Sequence, residues 1–516
     1  MGTCNCDYAP TVIVPGIGQS KVDLVDEKGN RIKSAWPLDL KGEDLMGGLK
    51  GPLLKTMTFR RDMGLSDKLA EIVRKAAQPI AGTDEGDPVS RLRVVSYPYS
   101  VAECNEEEKR YIYKMVPLEN LAEIIGEDHL YFYAYHSFGS VYDNAAGLDE
   151  FIQTVKTSTG HDKVNLIPVS LGGALATAYL DAYGDKGDVA KVLYFVAALN
   201  GSQIAGDVLS RNLLTDDVQP LLREIAGSNA KELSSILKMM PKGVPEKVVE
   251  SLLDAVLDTV IIKSTMMWAI VPCQLYEGLR DKYLLDKRYD VLRAKTDRYH
   301  KAHENLKEMI DNLRQKGVGF YSICGYGKKF PPFVKSCHMS SDGTIDVFST
   351  SLGAYCAPLG ETLPEDYVQK NTYCKDSAHN HISPDRTVDA SSGFLPETTW
   401  YFLDQVHDDV AFNDIALELA KKILTDPEFD SVFADPRFPQ FNNARNIRKI
   451  KYDLLPKAKA ADRSKLFPGQ LAVLDGALTR ADAMFENTLA VDSSEVAEVE
   501  TALREAVELI TSDAAQ

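Results

Sequence analysis

The apolar positions of this chain fall into short solid runs separated by amphipathic stretches. Thr11–Val14, Leu130–Tyr135, Val164–Val169, Lys191–Leu199 and Val318–Gly325 are apolar on nearly every residue rather than on alternate ones. Runs of that kind, rich in β-branched and aromatic residues, suit strands covered on both faces, the environment inside a parallel sheet. Arg93–Tyr97 reads as a further strand of the same sheet. Leu148, Ile152 and Val155 recur at helical spacing before Gly160 ends their helix, and a second helical pattern runs from just after Ser170 to Tyr183. Strands alternating with helices predict an α/β fold built on a doubly wound, mostly parallel sheet.

The rhythm changes at about residue 201. From there to 317 helix follows helix with no strand candidate, and the sheet resumes at Val318. The expected division is a first core segment at 1–200, a helical cap inserted at 201–317, a second core segment at 318–435 and a C-terminal helical appendage at 436–516. Residues 21–95 are mixed and polar, with glycine punctuation at Gly47, Gly48 and Gly51, and 326–400 reads as a long irregular passage. A helix is expected from Ala411 to Leu424, and beyond Pro436 no strand is expected, only a connection and alanine-rich helices such as 494–512. Inside the cap, Val248, Val249, Leu252, Leu253, Val256, Leu257 and Val260 form an apolar stripe. With Met239, Met240, Met266, Met267 and Trp268 they suit either bundle core or the lining of an apolar channel.

The 516 residues can bury a large core, and a net charge of −17 with no basic cluster excludes nucleic-acid binding and docking on anionic membranes. No apolar run is long enough for a transmembrane segment. The first residues, Met1 to Asp7, have neither the basic nor the apolar region of a secretory signal, and Cys6 stands where a myristoylation pattern wants Ser or Thr. Eight cysteines without paired spacing read as reduced thiols, so a cytoplasmic location is expected.

Chemistry concentrates where Val164–Val169 stops at Ser170 and small residues follow, Gly172, Gly173 and Ala174. A strand turning sharply into a helix lifts such a serine to an exposed crest. Pro168 replaces the glycine that commonly stands two residues before it. A serine nucleophile needs a base and a carboxylate to orient that base, and on this fold both follow it in the chain, acid first. Asp342, in a turn with Gly343, is the expected acid, with Asp346 as runner-up; His407, just ahead of the last core helix, is the expected base. The oxyanion donors are expected to be the N–H groups of Leu171 and of Ile17, in the turn Pro15–Gly18. Cys374, His379 and His381 could make a metal site, but their spacing matches no established zinc pattern, so a polar surface loop is expected there, with no metal and no cofactor, and a metal-dependent hydrolase centred on His379 and His381 ranks last among the readings.

The opening turn Val14-Pro15-Gly16, the helix at Leu148–Ile152 with Thr159–Leu166 and Ser170 behind it, Ser341-Asp342-Gly343-Thr344-Ile345, and His407-Asp408-Asp409-Val410-Ala411 together resemble the lecithin:cholesterol acyltransferase and phospholipid:diacylglycerol acyltransferase family of α/β-hydrolases. The resemblance covers roughly 10–200 and 318–425, and departs from the family's pattern at Pro168-Val169. It implies an α/β-hydrolase fold with Ser170, Asp342 and His407 as triad and Ile17 and Leu171 as oxyanion donors. It also implies an acyl-ester or lipid substrate, whose acyl group passes to water or an alcohol through an acyl-enzyme. The rival expectation is a catalytically silent relative that binds a lipid or a protein. Acyl length, acceptor and oligomeric state carry no signature in the sequence.

Overall fold

Solid apolar runs become the strands of the central sheet. In the computed structural model, which describes residues 7–38, 42–213, 239–443, 450–486 and 493–512, the strands are β1 (Thr11–Val14), β2 (Val22–Val25), β3 (Arg31–Trp36), β4 (Leu92–Val94), β5 (Leu130–Phe132), β6 (Val164–Pro168), β7 (Val189–Phe195), β8 (Gly319–Tyr326), β9 (Tyr355–Cys356), β10 (Val388–Asp389), β11 (Thr399–Leu403) and β12 (Phe441–Asn443). Seven of them form one sheet in the order β12-β11-β8-β7-β6-β1-β5. Every neighbouring pair in it is parallel.

Successive side chains of a strand point to opposite faces, and both faces are filled. Ile13, Ile167, Leu193, Ile323 and Trp400 are buried on one side, together with Ile415 and Leu419 of the helix Asp414–Thr425. Leu474 and Leu503, from the C-terminal helices Pro468–Glu486 and Ser493–Ser512, join that same cluster. Val12, Val14, Leu166 and Val192 face the other side, against Leu148 and Ile152 of Val141–Thr159 and Leu175 and Tyr179 of Gly172–Tyr183. Gly160 caps the first of these helices with φ 78°, as its position in the sequence predicts.

The described residues between β7 and β8 are helical and irregular, with no strand among them, and 214–238 lie outside the described residues. Among the described residues no helix is long and apolar enough to cross a membrane. Residues 1–6, which hold the myristoylation-like start, Cys4 and Cys6, also lie outside them.

Four expectations are corrected. Leu92–Val94 is not part of the parallel sheet. It pairs antiparallel with β2 in a small sheet with β3, held on its wet face by Arg93 against Asp23 at 3.5 Å. The glycines at 48 and 51 do not punctuate a loop but sit inside the helix Gly42–Phe59, which buries Leu49 against Leu65 and Leu69 of the helix Leu65–Ala77. The passage 326–400 is not irregular to its end, because β11 begins at Thr399. The region beyond Pro436 does contain a strand, β12, which extends the sheet by pairing with β11.

Candidate active site

The chain makes β1, steps outward to β5, and then returns past β1 to make β6. Such a reversal opens a crevice beyond the carboxyl ends of the two inner strands, the usual ligand position of open α/β sheets. The loops at these ends are Pro15–Gly18 and Val169–Leu171, and they touch: a Cβ at Gly16 would lie 3.0 Å from Ser170 Cβ and 3.4 Å from its Oγ.

Ser170 has φ 54°, in the left-handed region that side chains rarely adopt. The surroundings hold it there. Its carbonyl accepts the N–H groups of Gly173 and Ala198, both at 2.9 Å, and the helix Gly172–Tyr183 begins two residues on. This tight entry needs small residues. A Cβ at Gly172 would stand 2.2 Å from the Val14 carbonyl oxygen, and one at Gly173 would stand 2.8 Å from Ala197 Cβ. Gly172→Ala is therefore expected to force the elbow off β1, costing about 1–3 kcal/mol of stability and most of any Ser170 reactivity. Thermal melting together with labelling of Ser170 checks this; a variant as stable and as reactive as the parent would show that the contact yields freely.

Pro168 is the last residue of the strand that leads into the elbow. It closes β6 in register with Val14. The β6–β7 ladder runs through Leu166 and resumes only as a bridge between Val169 and Phe195, so Pro168, which has no N–H to donate, stands in the gap of that ladder.

Most N–H groups in and beside these two loops have partners that can be followed one by one. Gly16 donates to Gln19 Oε1, Gly18 to Ser137 Oγ at 3.0 Å, Gln19 to the Gly16 carbonyl at 3.4 Å and Gly172 to the Val169 carbonyl at 2.8 Å. Ser170 N–H reaches the Phe195 carbonyl at 3.4 Å. Ile17 and Leu171 are the residues of these turns whose N–H has no acceptor among the described residues. They are the two expected from the sequence.

Asp342 and His407 are 65 positions apart and meet directly. His407 Nδ1 donates to Asp342 Oδ2 at 2.7 Å, and His407 N–H bonds the Asp342 carbonyl at 2.9 Å. The other carboxylate oxygen, Oδ1, accepts from Thr344 N–H at 2.9 Å and Ile345 N–H at 2.7 Å, so the carboxylate cannot rotate freely. Gly325 of β8 permits the approach, since a Cβ there would lie 2.8 Å from Asp342 Cβ and 2.9 Å from the Gln405 carbonyl. With Nδ1–H committed to a carboxylate, Nε2 is left as the basic nitrogen. Burial, the largest influence, depresses the His407 pKa; the charge and hydrogen bond of Asp342, with Asp408 adding to them, outweigh it and leave the pKa raised. Asp346 does something else. Its carboxylate caps the short helix Val347–Thr350 by accepting Ser349 N–H at 2.9 Å, and burial raises its pKa to about 6.

Ser170, Ile17, Leu171 and His407 all line one cavity of about 960 Å³, at the upper end of the range for small-molecule sites. Its walls are largely apolar. Leu253, Val256, Val260 and Met267 contribute from the helical stretch, and Val73 and Ala77 from Leu65–Ala77. The last two were not anticipated; their helical spacing with Leu69 marks an apolar face without saying what that face covers. Val248, Val249 and Leu252 pack instead against Leu65 and Leu69, as does Met240. Met266 is sheet core, Trp268 packs with Tyr276, and Met239 is exposed.

His379 and His381 lie outside this cavity, and the surface-loop expectation for that stretch is corrected: His381 and Cys374 are buried. Their distant partners explain the error, because His381 Nδ1 bonds Gln440 Oε1, 59 positions away, at 2.8 Å.

The parallel sheet, the strained elbow at the switch point and the helices on both faces define an α/β-hydrolase fold. No family model matches this sequence, and no curated protein sequence matches it. Solved structures with some likeness include the mature lipase BlEst2 of Bacillus licheniformis, 12% identical over 64% of this chain and 89% of that one, TM-score 0.28. They also include the Tle4–Tli4 complex, 12% identical over 82% of this chain and 100% of that one, TM-score 0.31. A lipase-esterase related protein of Clostridium acetobutylicum is 13% identical over 37% of this chain and 87% of that one, TM-score 0.16. These superpositions are too loose to transfer a residue or an activity.

Proposed function

We propose that this protein is a serine-dependent acyl-ester hydrolase or acyltransferase for lipid-like esters, acting through an acyl-enzyme in the manner of the acyltransferase family it resembles. The observation that carries this reading is the buried His407–Asp342 pair at 2.7 Å, whose imidazole opens on the same apolar cavity as Ser170.

Ser170 Oγ attacks the ester carbonyl while its proton passes to His407 Nε2. The oxyanion forms against the N–H groups of Ile17 and Leu171, which need no reorganisation because they have no other acceptor among the described residues. The imidazolium, stabilised by Asp342, then protonates the leaving alcohol as the carbonyl re-forms and the C–O bond breaks. Water or an acceptor alcohol repeats the sequence on the acyl-enzyme, giving up its proton to His407, which returns it to Ser170. In this reading the described residues of 201–317 form a cap over the acyl pocket, and the enzyme works in the cytoplasm. The second point is supported by the free thiols at Cys104, Cys273, Cys324, Cys337, Cys356 and Cys374.

A fluorophosphonate probe tests the proposal. Labelling of the folded protein that disappears in Ser170→Ala is expected; folded protein that never labels would leave the cavity as a lipid-binding site instead.

The apolar walls also set a preference. Each acyl methylene moved from water into the cavity contributes about 0.8 kcal/mol, so kcat/KM is expected to rise about fourfold per methylene from acetyl upward until the chain fills the pocket. Equal rates on acetyl and decanoyl esters would mean that Leu253, Val256, Val260 and Met267 merely hold the helices together.

A further inference from the structure

The segment 374–397 holds a second constellation, outside the lining of the Ser170 cavity. Cys374, His379 and His381 each bring one ligand atom within 4.8 Å of the others. Cys374 Sγ lies 3.6 Å from His379 Nδ1 and 3.6 Å from Glu397 Oε1, and the latter two atoms are 3.3 Å apart. The other nitrogen of His379, Nε2, stands 3.6 Å from Asp376 Oδ2.

His381 carries the decisive detail. It is fully buried, and its Nδ1 lies 2.8 Å from Gln440 Oε1. The amide cannot be turned round, because Gln440 Nε2 donates to the carbonyls of Pro396 at 2.6 Å and Thr399 at 3.2 Å. Oε1 is therefore an acceptor, the imidazole proton sits on Nδ1, and Nε2 is left with a lone pair. That Nε2 has no partner among the described residues. A buried nitrogen lone pair without a donor is unfavourable as it stands. It is also what a metal-ligating histidine looks like when its second nitrogen is fixed by an outer partner.

We propose that Cys374, His379 and His381, with Glu397 as fourth ligand, form a structural zinc site. One thiolate, two imidazoles and one carboxylate suit the borderline-soft, tetrahedral Zn²⁺, and four protein ligands leave no open position for catalysis. His379 binds through Nδ1, with Asp376 behind its Nε2, and binding displaces the thiol proton of Cys374 to solvent. The ion ties the loop 374–381 to Glu397 in the turn Pro396–Thr398, directly before β11. The proposal is independent of the ester chemistry at Ser170.

The full-length protein, loaded with zinc and dialysed against metal-free buffer, is expected to keep one zinc per chain. Cys374→Ser and the partly exposed His379→Gln are expected to lose it while remaining folded. Cobalt exchanged for zinc should show a thiolate-to-cobalt charge-transfer band and strong tetrahedral d–d bands, with the first absent in Cys374→Ser. A chelator should lower the melting temperature of the parent and leave that of Cys374→Ser unmoved, without abolishing probe labelling at Ser170. Folded parent that retains no zinc, or that binds cobalt with no thiolate band, would overturn the site. Chelation with no effect on melting would overturn its structural role.

Discussion

Ser170→Ala is expected to lower kcat on acyl esters by about 10⁵-fold or more and to leave the melting temperature nearly unchanged. The two halves follow from different observations. Removing Oγ removes the attacking atom, so covalent chemistry ends and only binding and the oxyanion donors remain. The stability half follows because Ser170 Oγ has no hydrogen-bond partner among the described residues, and alanine meets the same backbone strain at φ 54° as serine does. His407→Ala is a less clean experiment, since it leaves the fully buried Asp342 carboxylate without its partner and is expected to destabilise the fold as well. Combining the two changes should cost little more in kcat than the worse single change, because members of a catalytic unit fail together. Residual activity within tenfold of the parent in Ser170→Ala would place the nucleophile elsewhere.

What could be read in the sequence was set by how local each signal is. The elbow was legible because all of its requirements lie within 20 residues: buried β6, the serine, two glycines and the helix Gly172–Tyr183. β1, β5, β7 and β8 were legible as solid apolar runs, the pattern that burial on both faces imposes. Asp342 and His407 were reachable because a fold of this kind prescribes their order, although nothing near either residue announces the 2.7 Å contact between them.

Illegible features are those that depend on distant partners. β12 contains only Phe441–Asn443, with no strand composition; it exists because Tyr401, Phe402 and Leu403 offer it a ladder. β11 is a good strand by composition but follows a long polar passage, so its run was absorbed into the irregular segment before it. The helix Gly42–Phe59 contains Gly48, Gly51 and Pro52, residues that normally end helices, and packing against Leu65–Ala77 overrides that preference. The Cys374, His379 and His381 cluster is invisible to spacing rules because Gln440 and Glu397, which orient and complete it, come from other parts of the chain.

Asp342→Asn carries the other large expected effect, about 10⁴-fold in kcat, and the hydrogen bonds say why an isostere should fail. Oδ1 is held by the N–H groups of Thr344 and Ile345, so the asparagine carbonyl must take that position and its NH₂ must replace Oδ2 opposite His407. A donor then faces Nδ1. The imidazole has to accept there, its proton moves to Nε2, and the nitrogen that should take the Ser170 proton no longer has a lone pair. The pH profile separates this from a simple loss of packing. In the parent, His407 must be neutral to act as base, and its pKa is raised because Asp342 outweighs burial. Activity is therefore expected to fall as pH drops through a midpoint above the ordinary histidine value. In Asp342→Asn burial is no longer opposed by that charge, so the acid limb of the residual activity should move to lower pH. Asp346→Asn is the control: asparagine still caps the helix Val347–Thr350, and neither the rate nor the limb should move far. A damaging Asp346→Asn beside a mild Asp342→Asn would reverse the assignment of the acid, and an unshifted limb in Asp342→Asn would break the link between this carboxylate and His407.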